Sequence, residues 1–238
     1  MPAKRPTAWP EPHRSSGAGA ERALDLSGLC VSGRRGRKTV RKGASLYRAG
    51  EPFSVLYLIH SGTFKTLLVA ADGREQVGGF HLRGDVIGAD GLAGTYYLCD
   101  AVALEYSEVW VLRPEELDGI NSDWPVPRRS IALALARKIT RVQATLLLLG
   151  SMHAEERVAA FLLDLASRYH ALGYSGSEIV LRMTRAEIGS YLGLKIETIS
   201  RMLSRFQRQG LLQVQGRVIK LLDPPRLRQL AAEAPVIP

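Results

Sequence analysis

Near the C-terminal end, Ser200 and Arg201 lie three and four residues after Glu197, and Arg205 and Arg208 follow at four and three more, so a helix through them carries all five on one face. Guanidiniums, a carboxylate and a hydroxyl together suit a polyanion that also displays donors and acceptors. They are not a catalytic set, and no Ser/His/Asp or Cys/His constellation stands out in the chain. Two other groups have chemistry to offer. Cys30 and Cys99 are too few for a disulfide framework but suffice for a redox pair; the alternative is two unrelated thiols. His60 and His81 read either as haem or metal ligands or as half-buried polar residues of strands. Their spacing forms neither H-x-H nor H-E-x-x-H.

The elements that must position the basic face are legible around it. Thr184 followed by Glu187 is an S/T-x-x-E capping box that starts a short helix. Ala186, Ile188 and Leu192 give that helix an apolar side, Gly193 ends it, and Leu194 plugs the turn. A second helix, Ile196 to Gln209, has Ile196, Ile199, Met202, Leu203 and Phe206 on its apolar face. Two short helices about a glycine, the second basic outside, form a helix-turn-helix whose second helix enters the DNA major groove. A helical hairpin with a solvated basic face is the competing reading. Downstream, Leu212–Gln215, Gly216 and Val218–Leu221 read as a β-hairpin wing, followed by a short helix over Arg226–Ala232.

The 238 residues are enough for one or two domains, and no apolar run approaches the roughly 20 residues of a membrane span. With no apolar leader at the N-terminus and little cysteine, a reducing cytoplasm is expected. Charge is uneven: residues 1–42 hold ten Lys/Arg against three acids, 43–124 five against twelve, and 125–238 seventeen against eight. An acidic middle between basic ends implies separate tasks. Residues 1–42 read as a basic, partly disordered arm in which Arg34, Arg35, Arg37, Lys38, Arg41 and Lys42 are solvated or touch DNA. Residues 43–124 hold short strand-like runs broken by glycines, with Asp72-Gly73 as a hairpin turn. That pattern predicts an antiparallel jelly roll enclosing a sensor pocket. Residues 125–152, opened by Pro125 and Pro127, predict a long helix. Its Ile131, Leu135, Ile139, Val142, Leu146 and Leu149 have coiled-coil spacing, with Arg129, Lys138 and Arg141 opposite. A homodimer seam free of buried charge, needing no ligand, is expected; a helix packed within its own chain is the alternative. Residues 153–238 complete a winged helix-turn-helix, beginning with a helix over His153–Leu172 and a short strand near Ile179–Leu181. The fold class is therefore α+β.

The order roll, long helix, winged helix-turn-helix resembles the Crp/Fnr family of bacterial transcription regulators over about residues 24–230. The segments GTFKTLLVAADGREQVGGFHLRGDVIGADGL, HAEERVAAFLLDLASRY and MTRAEIGSYLGLKIETISRMLSRFQRQGLLQVQGRVI carry the likeness, which is nearest to the Fnr-type branch. The resemblance implies a roll like the cyclic-nucleotide-binding jelly roll, a homodimer, an activator role through RNA polymerase, and a palindrome like TTGAT-N4-ATCAA. It maps base reading onto Glu197, Ser200 and Arg201, a chemistry that fits: Arg bonds guanine bidentately, Glu accepts from cytosine N4, Ser touches a base or the thymine methyl. Thr184, Arg185 and Arg205 are the phosphate candidates. Two departures count against familiar sensors. Fnr-type oxygen sensors hold a [4Fe–4S] cluster with four cysteines; here Cys30 aligns with one, while Glu21, Leu24 and Trp110 stand at the others. The cyclic-nucleotide branch needs an Arg-Ser or Arg-Thr pair; here Gly84-Asp85-Val86 keeps an acidic turn, but Tyr96-Tyr97-Leu98-Cys99-Asp100-Ala101 has no Arg. Neither cluster nor cyclic AMP is expected, and no metal. The competing function is a cupin-like ligand- or metal-binding roll, enzymatic or not, with secondary DNA binding.

Overall fold

The computed structural model describes residues 36–114 and 128–231. Cys30, most of the basic arm, Pro125, Pro127, Ala232 and the side chain of Arg129 lie outside the described residues. Eight strands build the roll: β1 (Arg37–Val40), β2 (Ser45–Tyr47), β3 (Leu56–Ser61), β4 (Phe64–Val69), β5 (Glu75–His81), β6 (Val86–Ile87), β7 (Asp100–Ala103) and β8 (Ser107–Leu112). They form two four-stranded antiparallel sheets, in the orders β1-β8-β3-β6 and β2-β7-β4-β5. The Asp72-Gly73 turn joins β4 to β5 as expected, with Gly73 at φ 83° and Ala70 N–H donating to Arg74 O at 2.9 Å. The arm boundary at residue 42 is corrected: Arg37–Val40 pairs with Trp110–Ser107 of β8, so part of the basic run is a roll strand.

The interior between the sheets is filled by Tyr47, Tyr57, Ile59, Phe64, Tyr97 and their neighbours. Tyr47 stacks on Tyr97 at 4.0 Å between ring centroids, and Tyr97 Oη donates to Val55 O at 2.7 Å. The pocket anticipated inside the roll is thus taken up by aromatic side chains; a large cleft lies elsewhere, among the helices.

Helix α1 (Arg128–Ser151) leads to α2 (Ala154–Ala171), β9 (Glu178–Val180), α3 (Arg185–Leu192), α4 (Ile196–Arg208), β10 (Leu212–Gln215), β11 (Val218–Leu221) and α5 (Pro224–Leu230). The three last strands pair in the order β10-β11-β9. In β3 four successive residues, Leu56 to Ile59, are buried. A strand with both faces apolar needs a second layer. Tyr57 and Ile59 face the interior, while Leu56 and Leu58 join Val86 and Leu112 under α1.

This corrects the seam. Ile131 is 4% exposed in that cluster, with Ala134 buried beside it and Leu135 packed against it, so the start of the stripe is spent on the helix's own roll. Leu149 is half-buried. Ile139, Val142 and Leu146 stay 60%, 48% and 65% exposed. The opposite, cationic face is corrected too: Arg141 Nη2 lies 2.6 Å from Asp85 Oδ1 at the β5–β6 turn. Asp85, read as the turn of a nucleotide site, also accepts from Arg168 Nη2 of α2 at 2.8 Å. One carboxylate therefore ties the roll to both long helices. Around it, Val77, Phe80 and Leu82 of the roll share a core with α2, α3 and α4.

His81 is buried, its Nε2 3.1 Å from Thr66 Oγ1, and burial lowers its pKa from 6.5 to about 3. The unfolded chain takes up this proton near pH 6.5 and the folded chain does not, so stability falls as pH drops from about 6.5 toward 3. Melting temperatures measured between pH 7 and pH 4.5 should decline for the wild type and decline less for His81→Gln.

Candidate nucleic-acid interface

Local sequence dictates the reading head. Thr184 caps α3: its Oγ1 accepts from Glu187 N–H at 3.2 Å, and Glu187 Oε2 accepts from Thr184 N–H at 2.6 Å. Gly193 takes the left-handed turn at φ 63°. Ile188 and Leu192 of α3 are buried with Ile199, Leu203 and Phe206 of α4, which fixes the helix pair. Ala186 and Ile196, both assigned to apolar faces, are exposed instead. Each lies in the first turn of its helix, beyond the packed stretch.

The outward face is polar. Glu197 and Arg201 are exposed and Ser200 is half-buried between them. Arg201 Nη2 donates to Thr198 Oγ1 at 3.3 Å, and Arg185 Nη1 to Ser200 Oγ at 3.1 Å, so a phosphate candidate and a base-reading candidate touch. Thr184 and Arg185 sit together at the start of α3. Arg205 is set apart: it pairs with Glu155 of α2 at 2.8 Å while remaining half-exposed. The wing, β10–β11, turns at Gly216 with φ 60°.

Four features escaped the sequence reading. Lys65 of β4 pairs with Glu187 Oε1 at 2.7 Å, tying the roll to the cap of α3. That ammonium and the Thr184 N–H hold the Glu187 carboxyl below its ordinary range, against burial, which alone would raise it. Ser190 Oγ accepts from Val77 N–H at 2.9 Å nearby. Arg157 donates to Met152 O at 2.8 Å, Leu149 O at 2.8 Å and Leu192 O at 3.1 Å, gathering the ends of α1 and α3. Finally, Gly189 lets α3 approach the turn: a Cβ there would lie 2.5 Å from Leu194 O. Gly189→Ala is expected to cost roughly 1–3 kcal/mol by forcing that backbone apart, measured as a lower urea midpoint. Helical periodicity alone does not distinguish such a glycine from alanine.

Among the described residues, the cysteine and histidine groups do not assemble a second site. Cys99 is buried, its Sγ 3.5 Å from Asp90 Oδ2, and burial pushes its thiol up to about 12. Such a thiol is a poor nucleophile. No three His, Cys, Asp or Glu among the described residues are grouped to hold a metal. At the roll position of the fourth cluster cysteine, Trp110 lies under the Arg37 guanidinium at 4.4 Å and against the edge of His60. These residues offer no thiolate and do not fit an iron–sulfur cluster. A cyclic nucleotide fares no better: the Tyr96–Ala101 segment holds no arginine to meet its phosphate, and its Tyr97, Cys99 and Ala101 are packed into the roll interior.

A helix-turn-helix docked on a closed roll is also what known proteins share with this chain. Residues 156–230 match the Crp-like helix-turn-helix domain, and residues 37–121 the cyclic nucleotide-binding domain. The transcriptional regulatory protein Btr of Bordetella pertussis is 44% identical over 197 residues, 83% of this chain and 81% of that one. The chain belongs to the Crp/Fnr family. The fumarate and nitrate reduction regulatory protein of Escherichia coli K12 is 41% identical over 195 residues, 82% of this chain and 78% of its own. Among solved structures, FixK2 of Bradyrhizobium japonicum superposes with a TM-score of 0.72 at 34% identity, over 83% of this chain and 98% of that one. As a Crp/Fnr member, the chain is a DNA-binding transcription regulator and not an enzyme, which removes the cupin-like metal-enzyme reading. No helix among the described residues is long and apolar enough to cross a membrane.

Proposed function

We propose that this regulator acts in the cytoplasm as a homodimer on a two-fold DNA site resembling TTGAT-N4-ATCAA, with Glu197, Ser200 and Arg201 reading bases. The observation that carries the reading is the outward face of α4, where Glu197 and Arg201 stay exposed and adjacent while the opposite face is buried. Thr184 and Arg185 face the DNA backbone beside it; Arg205 joins them on leaving Glu155. The dimer rests on α1. Its exposed residues Ala132, Ala136, Ile139, Gln143 and Leu146 alternate at four and three, a heptad seam rotated from the one the sequence predicts. No charge lies on that stripe, so dimerisation needs no ligand. At promoters the roll touches RNA polymerase and activates, and occlusion of other promoters represses.

The regulator carries neither a [4Fe–4S] cluster nor cyclic AMP in this reading, supported by Trp110 at the cluster position and by the Tyr96–Ala101 segment, which holds no arginine. A gel shift with the TTGAT-N4-ATCAA duplex, run with and without air and reductant, is expected to show the same shift throughout. Loss of the shift in air, or a brown protein under strict anaerobiosis, would overturn the cluster-free account. Arg201→Ala should cost roughly 1–3 kcal/mol at one base pair in each half-site and relax preference there. Unchanged preference in a base-substituted duplex series would sink the mapping.

A further inference from the structure

A cleft of about 610 Å³ opens between α1, α2 and α5, outside the roll and away from the outward face of α4. Its size lies within the roughly 300–1,000 Å³ of small-molecule sites. Its walls are apolar: Ala144 and Leu148 of α1 face Ala160 and Leu163 of α2. They lie across α1 from Ile139 and Leu146, given 3.6 residues per turn, so a second copy seated on the exposed stripe leaves the cleft unfilled.

The rim decides the chemistry. Arg141 and Asp164 reach it already paired, with Asp85 at 2.6 Å and Arg168 at 3.7 Å. Arg228 of α5 and His170 of α2 also line the cleft, both exposed, and neither makes an ion pair within the described residues. An apolar trough with an unspent guanidinium at its mouth complements an apolar body with one anionic end. We propose that this cleft is a binding site for a small apolar anion, with Arg228 holding the charged end. Tyr191 of α3 also lines it, its Oη 2.8 Å from Thr145 Oγ1 of α1, so an occupant touches both the long helix and the reading head. The site stands apart from the operator reading and is tested without DNA.

The test titrates the full-length protein with anilinonaphthalenesulfonate and with its neutral analogue phenylnaphthylamine, following fluorescence. One saturable site per chain is expected for the sulfonate. Arg228→Glu should weaken the sulfonate about tenfold and leave the neutral amine unchanged. Ala160→Phe, which fills the trough, should abolish binding of both dyes, with circular dichroism confirming the fold. Absence of sulfonate binding to wild type, equal binding by Arg228→Glu, or a signal that survives in folded Ala160→Phe overturns the proposal.

Discussion

Asp85→Ala is expected to lower the unfolding free energy by roughly 3 kcal/mol and to loosen the reading head from the roll. The reason is what the substitution leaves behind. Arg141 and Arg168 reach Asp85 from α1 and α2 with side chains only 20% and 17% exposed. Removing the carboxylate strands both guanidiniums with little water, and breaking such a pair costs more than the pair contributes. The 14% of Asp85 that still meets solvent sets the figure at the lower end of the range for buried pairs. Asp85→Asn keeps acceptor geometry without charge and should fall between. Burial alone would raise the Asp85 pKa, but Arg168 and then Arg141 outweigh it and bring it from 3.8 to about 2. Because the folded value is depressed, the stabilisation is complete above pH 4 and is lost as pH falls from about 4 to 2. Urea unfolding of wild type and variant at pH 7 and pH 3 checks both the size and this window. Equal midpoints at pH 7 would show that the three-element link holds nothing together.

Leu146→Asp should act on assembly rather than on folding. Leu146 is 65% exposed in the single chain, so its replacement leaves the chain's own core intact. In the dimer two carboxylates would meet across the seam without partners, costing roughly 3 kcal/mol or more, about a hundredfold in association. Sedimentation velocity should show a monomer over concentrations where wild type is dimeric, with unchanged circular dichroism. Affinity for a palindrome should drop with it, because a monomer engages one half-site. A concentration-independent monomer for wild type would remove the seam altogether. Ile131→Asp is the contrast: Ile131 lies in the core between α1 and the roll, so that variant should lose fold stability as well.

The two substitutions mark what periodicity along the chain does and does not determine. The α3–α4 pair was largely readable, since cap, glycine turn and apolar spacing are local signals and Thr184, Gly193, Ile199, Leu203 and Phe206 sit where they require; only Ala186 and Ile196, in the first turns, fall outside the packed stretch. The strands of the roll were legible for the same reason, apart from β1, whose arginine and lysine side chains hid a pairing with β8. Along α1 the 4-and-3 spacing identified an apolar stripe but not its partner. Ile131 and Leu135 turned to the roll because β3 buries both its faces, a demand set by a strand some seventy residues earlier. The polar contacts that join the domains were not legible. Asp85 to Arg141 and Arg168, Lys65 to Glu187 and Arg157 to Leu192 O are long-range pairings with no sequence period. The same long-range geometry fixes the phosphate candidates: Arg185 leans on Ser200 and Arg205 on Glu155.

The central claim, a two-fold reader built from paired α4 helices, is tested most directly by fluorescence anisotropy of wild type on three duplexes at one salt concentration. These are the TTGAT-N4-ATCAA palindrome, the same duplex with one half-site scrambled, and one with the spacer lengthened by five base pairs. Tight binding of one dimer to the first is expected, with a loss of at least about a hundredfold on the other two, since both half-sites must face one side of the helix. Equal affinity for all three duplexes would contradict it.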